Sequence, residues 1–171
     1  MSTHPHWRTR PETAADISDV RRINLAAFET AEEADLVDAL RGDPAWIDGL
    51  ATLGLTGTGD AVAYALLTRC HVGESAALCL GPCAVLPEHQ STGAGSATIR
   101  AALATARAHG ERLVTVLGHP TYYPRFGFVP ASRHGVRMKY DEPGDALMVL
   151  ALDGSDIPAG VIRYAAPFGD I

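Results

Sequence analysis

The residues best suited by type and spacing to do chemistry lie between Gly81 and Phe128. Gln90-Ser91-Thr92-Gly93-Ala94-Gly95-Ser96 follows the apolar run Cys83-Ala84-Val85-Leu86-Pro87 and opens an alanine-rich stretch that ends at His109. This reads as a buried strand, a short polar turn and a helix whose first turn is made of small residues. The first N–H groups of a helix have no intrahelical partner and carry the positive end of its dipole, so small residues there let a phosphate reach the backbone. No Asp or Glu follows Glu88 in the loop to repel an anion. The chemistry implied is the binding of a phosphorylated ligand.

Two familiar phosphate loops fail at named positions. A dinucleotide fingerprint needs a third glycine where Thr98 stands, and a P-loop needs a Gly-Lys pair that this stretch lacks. Gln90-x-x-Gly93-x-Gly95 behind Ala84-Val85-Leu86-Pro87, with Tyr122-Tyr123-Pro124-Arg125-Phe126-Gly127-Phe128 downstream, resembles the pyrophosphate loop and following segment of the GCN5-related N-acetyltransferases (GNAT). The run from Leu117-Gly118-His119-Pro120 through Phe128-Val129-Pro130 is similar to the YhbS-like subgroup of that family. The likeness spans about residues 7–152 and is strongest over 80–130.

The resemblance implies a fold and a reaction. The fold is α/β (α+β), a mixed, mainly antiparallel sheet with a splayed central parallel strand pair flanked by helices. The reaction is acetyl transfer from acetyl-CoA to a primary amine of a small molecule or protein, directly within a ternary complex. Acetyl-CoA would be held by Cys83, Ala84, Val85, Gln90, Ser91, Thr92, Gly93, Ala94, Gly95, Ser96, Tyr123 and Phe126, with the N–H groups around Cys83 and Val85 meeting the pantetheine arm. Such a transfer needs a neutral amine, donors for the oxyanion and a proton for the departing thiolate. In the family a tyrosine four residues before the Gly-Phe pair often gives that proton, which here is Tyr123. Tyr122 is turned about 100° from it on a helix, so both rings cannot face the sulfur equally. Both could instead pack with Phe126 and Phe128 under the sheet. Base candidates are His119, with an ordinary pKa near ~6.5, and Glu29, Glu32 and Glu33, of which Glu33 joins Tyr123 and His119 in the expected catalytic set. A non-catalytic acyl-CoA-binding or sensing module is the alternative.

Composition narrows the class. The 171 residues are 47% hydrophobic and 20% charged, the makeup of an ordinary globular domain. A net charge of −6 argues against a nucleic-acid footprint and favours a cationic partner. Cys70, Cys79 and Cys83 are odd in number and lack a ligand spacing, so neither disulfides nor a metal site are expected. His4 and His6 could catch a metal but sit on a frayed end. Without a signal-peptide pattern or a long apolar run, no membrane association is expected and the cytoplasm is the expected compartment.

The elements that must position these residues follow from periodicity. Trp7 to Pro11 reads as a first strand, cut by proline. Asp16 is the expected N-cap of a helix burying Ile17, Val20, Ile23, Leu25 and Phe28, and a second helix runs from Glu29 to Arg41, walling the acceptor side by resemblance. Strands over 50–55, 61–72 and 76–85 form an antiparallel meander with turns at 56–60 and 73–75. Gly81-Pro82 interrupts the last of these, because proline gives the ladder no N–H. The helix over 93–109, capped by Gly110, leads to a strand at 113–117 that completes a β-α-β unit. Thr121 caps a short helical turn, and Val136 to Tyr140 and Ala146 to Leu152 supply two closing strands. Residues 153–171 read as a loop-rich tail of a single domain, and as the candidate contact for a homodimer.

Overall fold

The computed structural model describes residues 7–171; His4 and His6 lie outside the described residues. Alternating polar positions give the exposed edge strand β1 (Arg8–Pro11), followed by α1 (Ile17–Ala27) and α2 (Glu32–Arg41). A meander of β2 (Ala51–Leu55), β3 (Ala61–Val72) and β4 (Ser75–Val85) comes next, then α3 (Ala94–Ala108) and β5 (Leu113–Leu117). Two-residue strands β6 (Val129–Pro130) and β7 (Val136–Arg137) precede β8 (Leu147–Ala151) and β9 (Gly160–Arg163). The sheet order is β1-β2-β3-β4-β5-β8-β6, with every pairing along it antiparallel except β4 with β5.

β3 is apolar and buried almost throughout because helices cover both sheet faces. Tyr64 and Leu66 face a cluster containing Val20 and Ile23 of α1 and Val37 and Leu40 of α2. Ala65 and Leu67 face the opposite cluster, with Ile99, Ala102, Leu103 and Ala106 of α3. Small residues let α3 approach closely: a Cβ on Gly54 would fall 2.2 Å from Thr98 Oγ1. Gly110, in the left-handed region at φ +82°, stops the helix as its composition requires. A bidentate pair between Arg69 of β3 and Glu111 then ties the entry of β5 to the meander.

Three expectations change. Asp16 stands at the N-cap position of α1 but its side chain does not bond the helix; the carboxylate turns back to accept from the Thr13 N–H at 2.8 Å, the Thr13 hydroxyl at 3.0 Å, and Arg10 at 2.6 and 2.8 Å. Ile17 and Leu25 are exposed, since the face set by Val20, Ile23 and Asn24 excludes them at 3.6 residues per turn. Asn24 takes the buried site by donating Nδ2 to the Val20 carbonyl at 2.9 Å. The tail is more than loop: β9 pairs antiparallel with β3 at His71 and Val72 and parallel with β7, whose strand stops at Arg137 rather than Tyr140.

Arg10 first, with Thr13, holds the Asp16 carboxyl well below the usual carboxylate range against the cost of burial. A depressed folded-state pKa stabilises above the unfolded value of ~3.9 and the effect is lost as pH falls through the folded value. Asp16→Asn is therefore expected to lower stability by about 1–2 kcal/mol at neutral pH. Urea melts should show this gap closing as the buffer is taken below about pH 4; a gap independent of pH would show that the charge is not what matters.

Candidate active site

The parallel register of β4 and β5 runs from Leu78 opposite Val114 to Leu80 opposite Val116 and then stops. At that point the β3–β4 register slips: Ala65 faces Cys83 and Leu67 faces Leu80, so Gly81 and Pro82 together oppose Leu66. β4 continues to Val85 beside β3, while β5 continues to Leu117 beside β8. The edge of β4 facing β5 is thus open from Gly81 to Val85. Leu86 N–H donates to Val62 of β3 at 2.9 Å, and successive residues of a strand alternate, so the Val85 and Cys83 N–H groups point to the open side. Gln90 Nε2 donates to the Val85 carbonyl on that edge at 3.2 Å. Ala84 points its N–H toward β3 and its side chain into the core, leaving only its neighbours available.

One end of this edge opens into a cavity of about 440 Å³ lined by Val85, Gln90, Ser91, Gly93, Gly95, Ser96, Tyr122 and Arg125. Gly93, at φ +92°, turns the chain into α3, and its carbonyl accepts the first intrahelical bond from Ala97 at 3.0 Å. The N–H groups of Ala94, Gly95 and Ser96 precede any i−4 carbonyl of the helix and form its positive end. The turn is held from outside. Trp7 Nε1 donates to the Thr92 carbonyl at 3.2 Å and stacks edge-on against His89, while the Thr92 hydroxyl donates to the His89 carbonyl. The side chains of Thr92 and Ala94 therefore brace the loop and do not line the cavity.

The other end opens into a chamber of about 310 Å³ bounded by Gly81, Pro82 and Cys83, Leu117, Tyr123, Phe28, Glu33 and Leu36, with Tyr164, Phe168 and Ile171 of the tail. Segment 153–171 is thus engaged with its own chain. The two tyrosines separate. Tyr122 hydroxyl lies 3.1 Å from Ser96 Oγ in the first cavity, and Tyr123, its ring nearly perpendicular at 5.1 Å, lines the chamber. A 3-10 turn over Tyr123–Phe126, with Pro124 inside it and Gly127 at φ +100° closing it, sets these aims. Burial first, then the neighbouring Cys83, raises the Tyr123 hydroxyl above its ordinary value, so it stays protonated at neutral pH. Burial likewise pushes the half-buried Cys83 thiol up to about 12, partly offset by its bond with Tyr123.

Among the described residues Glu33 is the one charged side chain of the chamber wall, and its Oε2 is buried with no hydrogen-bond partner. Ala34, Val37 and Leu40 bury one face of α2, which leaves Glu33 and Leu36 on the flank turned to the chamber and Glu29 and Glu32 exposed. His119 is exposed and outside both cavities; its carbonyl accepts from the Tyr122 and Tyr123 N–H groups at 3.1 and 3.4 Å, so its backbone supports the turn. Phe126 also lies outside both cavities, beneath the Arg100 guanidinium at 5.0 Å. Sequence reasoning missed Arg125, which stacks 4.2 Å over the Tyr122 ring, donates Nε to the Tyr122 carbonyl at 2.8 Å and is the only cation among the described residues lining the first cavity. Its signal was available: a lone cation in an aromatic segment. Among the described residues no cluster of three or more His, Cys, Asp or Glu could hold a metal, and no helix is long and apolar enough to cross a membrane.

Comparison with known proteins gives the same outline. The sequence matches the Acetyltransferase (GNAT) family over residues 17–128. It is 37% identical over 136 residues to the uncharacterized N-acetyltransferase YjhQ of Escherichia coli K12, covering 77% of this chain and 74% of that protein. To the uncharacterized N-acetyltransferase YhbS of the same strain it is 30% identical over 166 residues, 93% of this chain and 96% of the relative. The crystal structure of a GNAT-family acetyltransferase from Brucella melitensis in complex with acetyl-CoA superposes with a TM-score of 0.77 at 30% identity, over 96% and 99% of the two chains. That of E. coli YhbS in complex with CoA gives 0.85 over 98% and 94%, with 22% identity in the structural alignment.

Gly118 has no room for a side chain: a Cβ there would lie 2.4 Å from Tyr123 Cε2. Gly118→Ala is expected to drive the ring out of the chamber wall and bring its hydroxyl toward the ordinary tyrosine value of ~10. Spectrophotometric titration of phenolate should then show one more tyrosine ionising near that pH than in the unaltered protein. An unchanged curve would mean that the ring is not held by this contact.

Proposed function

This chain belongs to the GNAT family of acetyltransferases, and on that premise we propose that it binds acetyl-CoA along the open edge of β4 and acetylates a primary amine delivered to the chamber beyond it. The observation that carries this reading is that one unpaired strand edge joins a cavity at the free N–H groups of a helix start to a chamber lined by a protonated tyrosine and by Glu33, whose buried Oε2 has no partner. The pyrophosphate fits the N–H groups of Ala94, Gly95 and Ser96 and the Arg125 guanidinium, and the pantetheine amides fit the free backbone of Cys83 and Val85. The Brucella relative at 30% identity, seen with acetyl-CoA, supports the same ligand here. Three free cysteines, two of them buried, fit a reducing cytoplasm.

The thioester would then lie at the splay beside Tyr123. An ammonium entering the chamber gives a proton to Glu33, and the neutral amine attacks the thioester carbonyl, forming the C–N bond. The tetrahedral species collapses with cleavage of the C–S bond. The thiolate takes the Tyr123 proton, the nitrogen sheds its second proton to water, Glu33 returns the first to solvent and solvent reprotonates the phenolate, so one proton is released per turnover. A tyrosine whose pKa is raised is a weak acid, but the same dry surroundings lift the Cys83 thiol to about 12, and a coenzyme thiolate arriving beside it is destabilised in the same way. Donor and acceptor are thereby brought toward balance.

Calorimetric titration with acetyl-CoA should show binding that Gly93→Glu abolishes and Arg125→Ala weakens about tenfold. Tyr123→Phe should lower kcat about a hundredfold with acetyl-CoA affinity unchanged. No binding of acetyl-CoA would overturn the reading. Binding without turnover of any amine would leave a sensing module instead of an enzyme.

A further inference from the structure

Resting on the proposed site, we infer that the acceptor is a molecule with a single primary amine on an apolar body, aromatic or short branched alkyl, and with no carboxylate of its own. The chamber is walled by Phe28, Leu36, Leu117, Tyr164, Phe168 and Ile171, and Glu33 is the one charged side chain among the described residues that line it. A carboxylate oxygen withdrawn from water without a donor is costly, so the occupant must bring the donor. One ammonium satisfies it, and the flanking aromatic rings favour a cation near their faces.

The same accounting rejects other amines. A diamine or polyamine would leave its second ammonium among apolar side chains, with no second Asp or Glu side chain among the described residues of the wall to meet it. An α-amino acid would set its carboxylate near Glu33, and among the described residues the chamber wall offers no Lys, Arg or His in compensation. At about 310 Å³ the chamber lies at the small end of ligand sites, enough for a single ring on a short tether. The tail decides the class: Tyr164 and Phe168, with ring centroids 5.7 Å apart, supply the aromatic wall opposite α2.

Two matched pairs test the inference, with CoA thiol release as the readout. Phenethylamine and phenylalanine differ by one carboxylate; hexylamine and hexamethylenediamine differ by one ammonium. The first member of each pair should have the higher kcat/KM by about a hundredfold or more. Glu33→Gln should raise the KM for phenethylamine at least about tenfold and leave the calorimetric affinity for acetyl-CoA unchanged, and Glu33→Asp should restore part of the loss. Equal rates within both pairs, in protein that binds acetyl-CoA, would overturn the inference while leaving the site intact. Failure to bind acetyl-CoA would instead overturn the reading beneath it.

Discussion

The arrangement depends on one failure of pairing. β4 and β5 are hydrogen-bonded as parallel neighbours up to Leu80 and Val116 and no further, because Gly81 and Pro82 crowd two residues opposite Leu66 and re-aim the rest of β4. Exposed backbone groups inside a domain normally find partners. Here they are left along an edge that joins two cavities, and a linear ligand with amide groups can complete the sheet in place of a strand. The splay also leaves Leu117 half exposed and gives Tyr123 a space to line.

Charge divides the site along that edge. At the helix end stand the free N–H groups of α3 and Arg125, and at the chamber end stands Glu33 with no counter-charge. Polarity of this sort orients a ligand pair, anion at one end and cation at the other, before any reacting atoms meet. Between them Tyr123 and Cys83 share a buried setting that keeps both protonated. The two adjacent tyrosines serve different ends because the 3-10 turn rotates them apart, Tyr122 toward Ser96 and Tyr123 toward Cys83.

Burial of the chamber depends on segments far apart in the chain. Phe28 follows α1, Glu33 and Leu36 come from α2, and Tyr164, Phe168 and Ile171 follow β9, which holds the tail to the end of β3. The residues that line the cavity at the start of α3 are contiguous by contrast, from Val85 through Ser96, with Tyr122 and Arg125 added by one turn. This is why the cavity at the start of α3 was readable from one stretch of sequence, whereas the tail's part in the chamber wall was not.

The sequence by itself determined the strand, turn and helix around Gly93, the both-sides-buried β3, the bulge at Gly81-Pro82 and the stop at Gly110, since each follows from backbone chemistry within a few residues. Resemblance to the family added Tyr123, four residues before Gly127, as the expected acid. Glu33 was already preferred to Glu29 and Glu32 for the catalytic set, but only the tertiary structure showed it turning inward while they stay exposed, His119 lying outside, Arg125 lining the cavity at the start of α3 and the tail closing the chamber. Asp16 shows the same division: its type suits a cap, but the approach of Arg10 turned its carboxylate back to Thr13. Local conformational preference is written in short windows of chain, whereas which side chain meets which depends on packing between segments that no window contains.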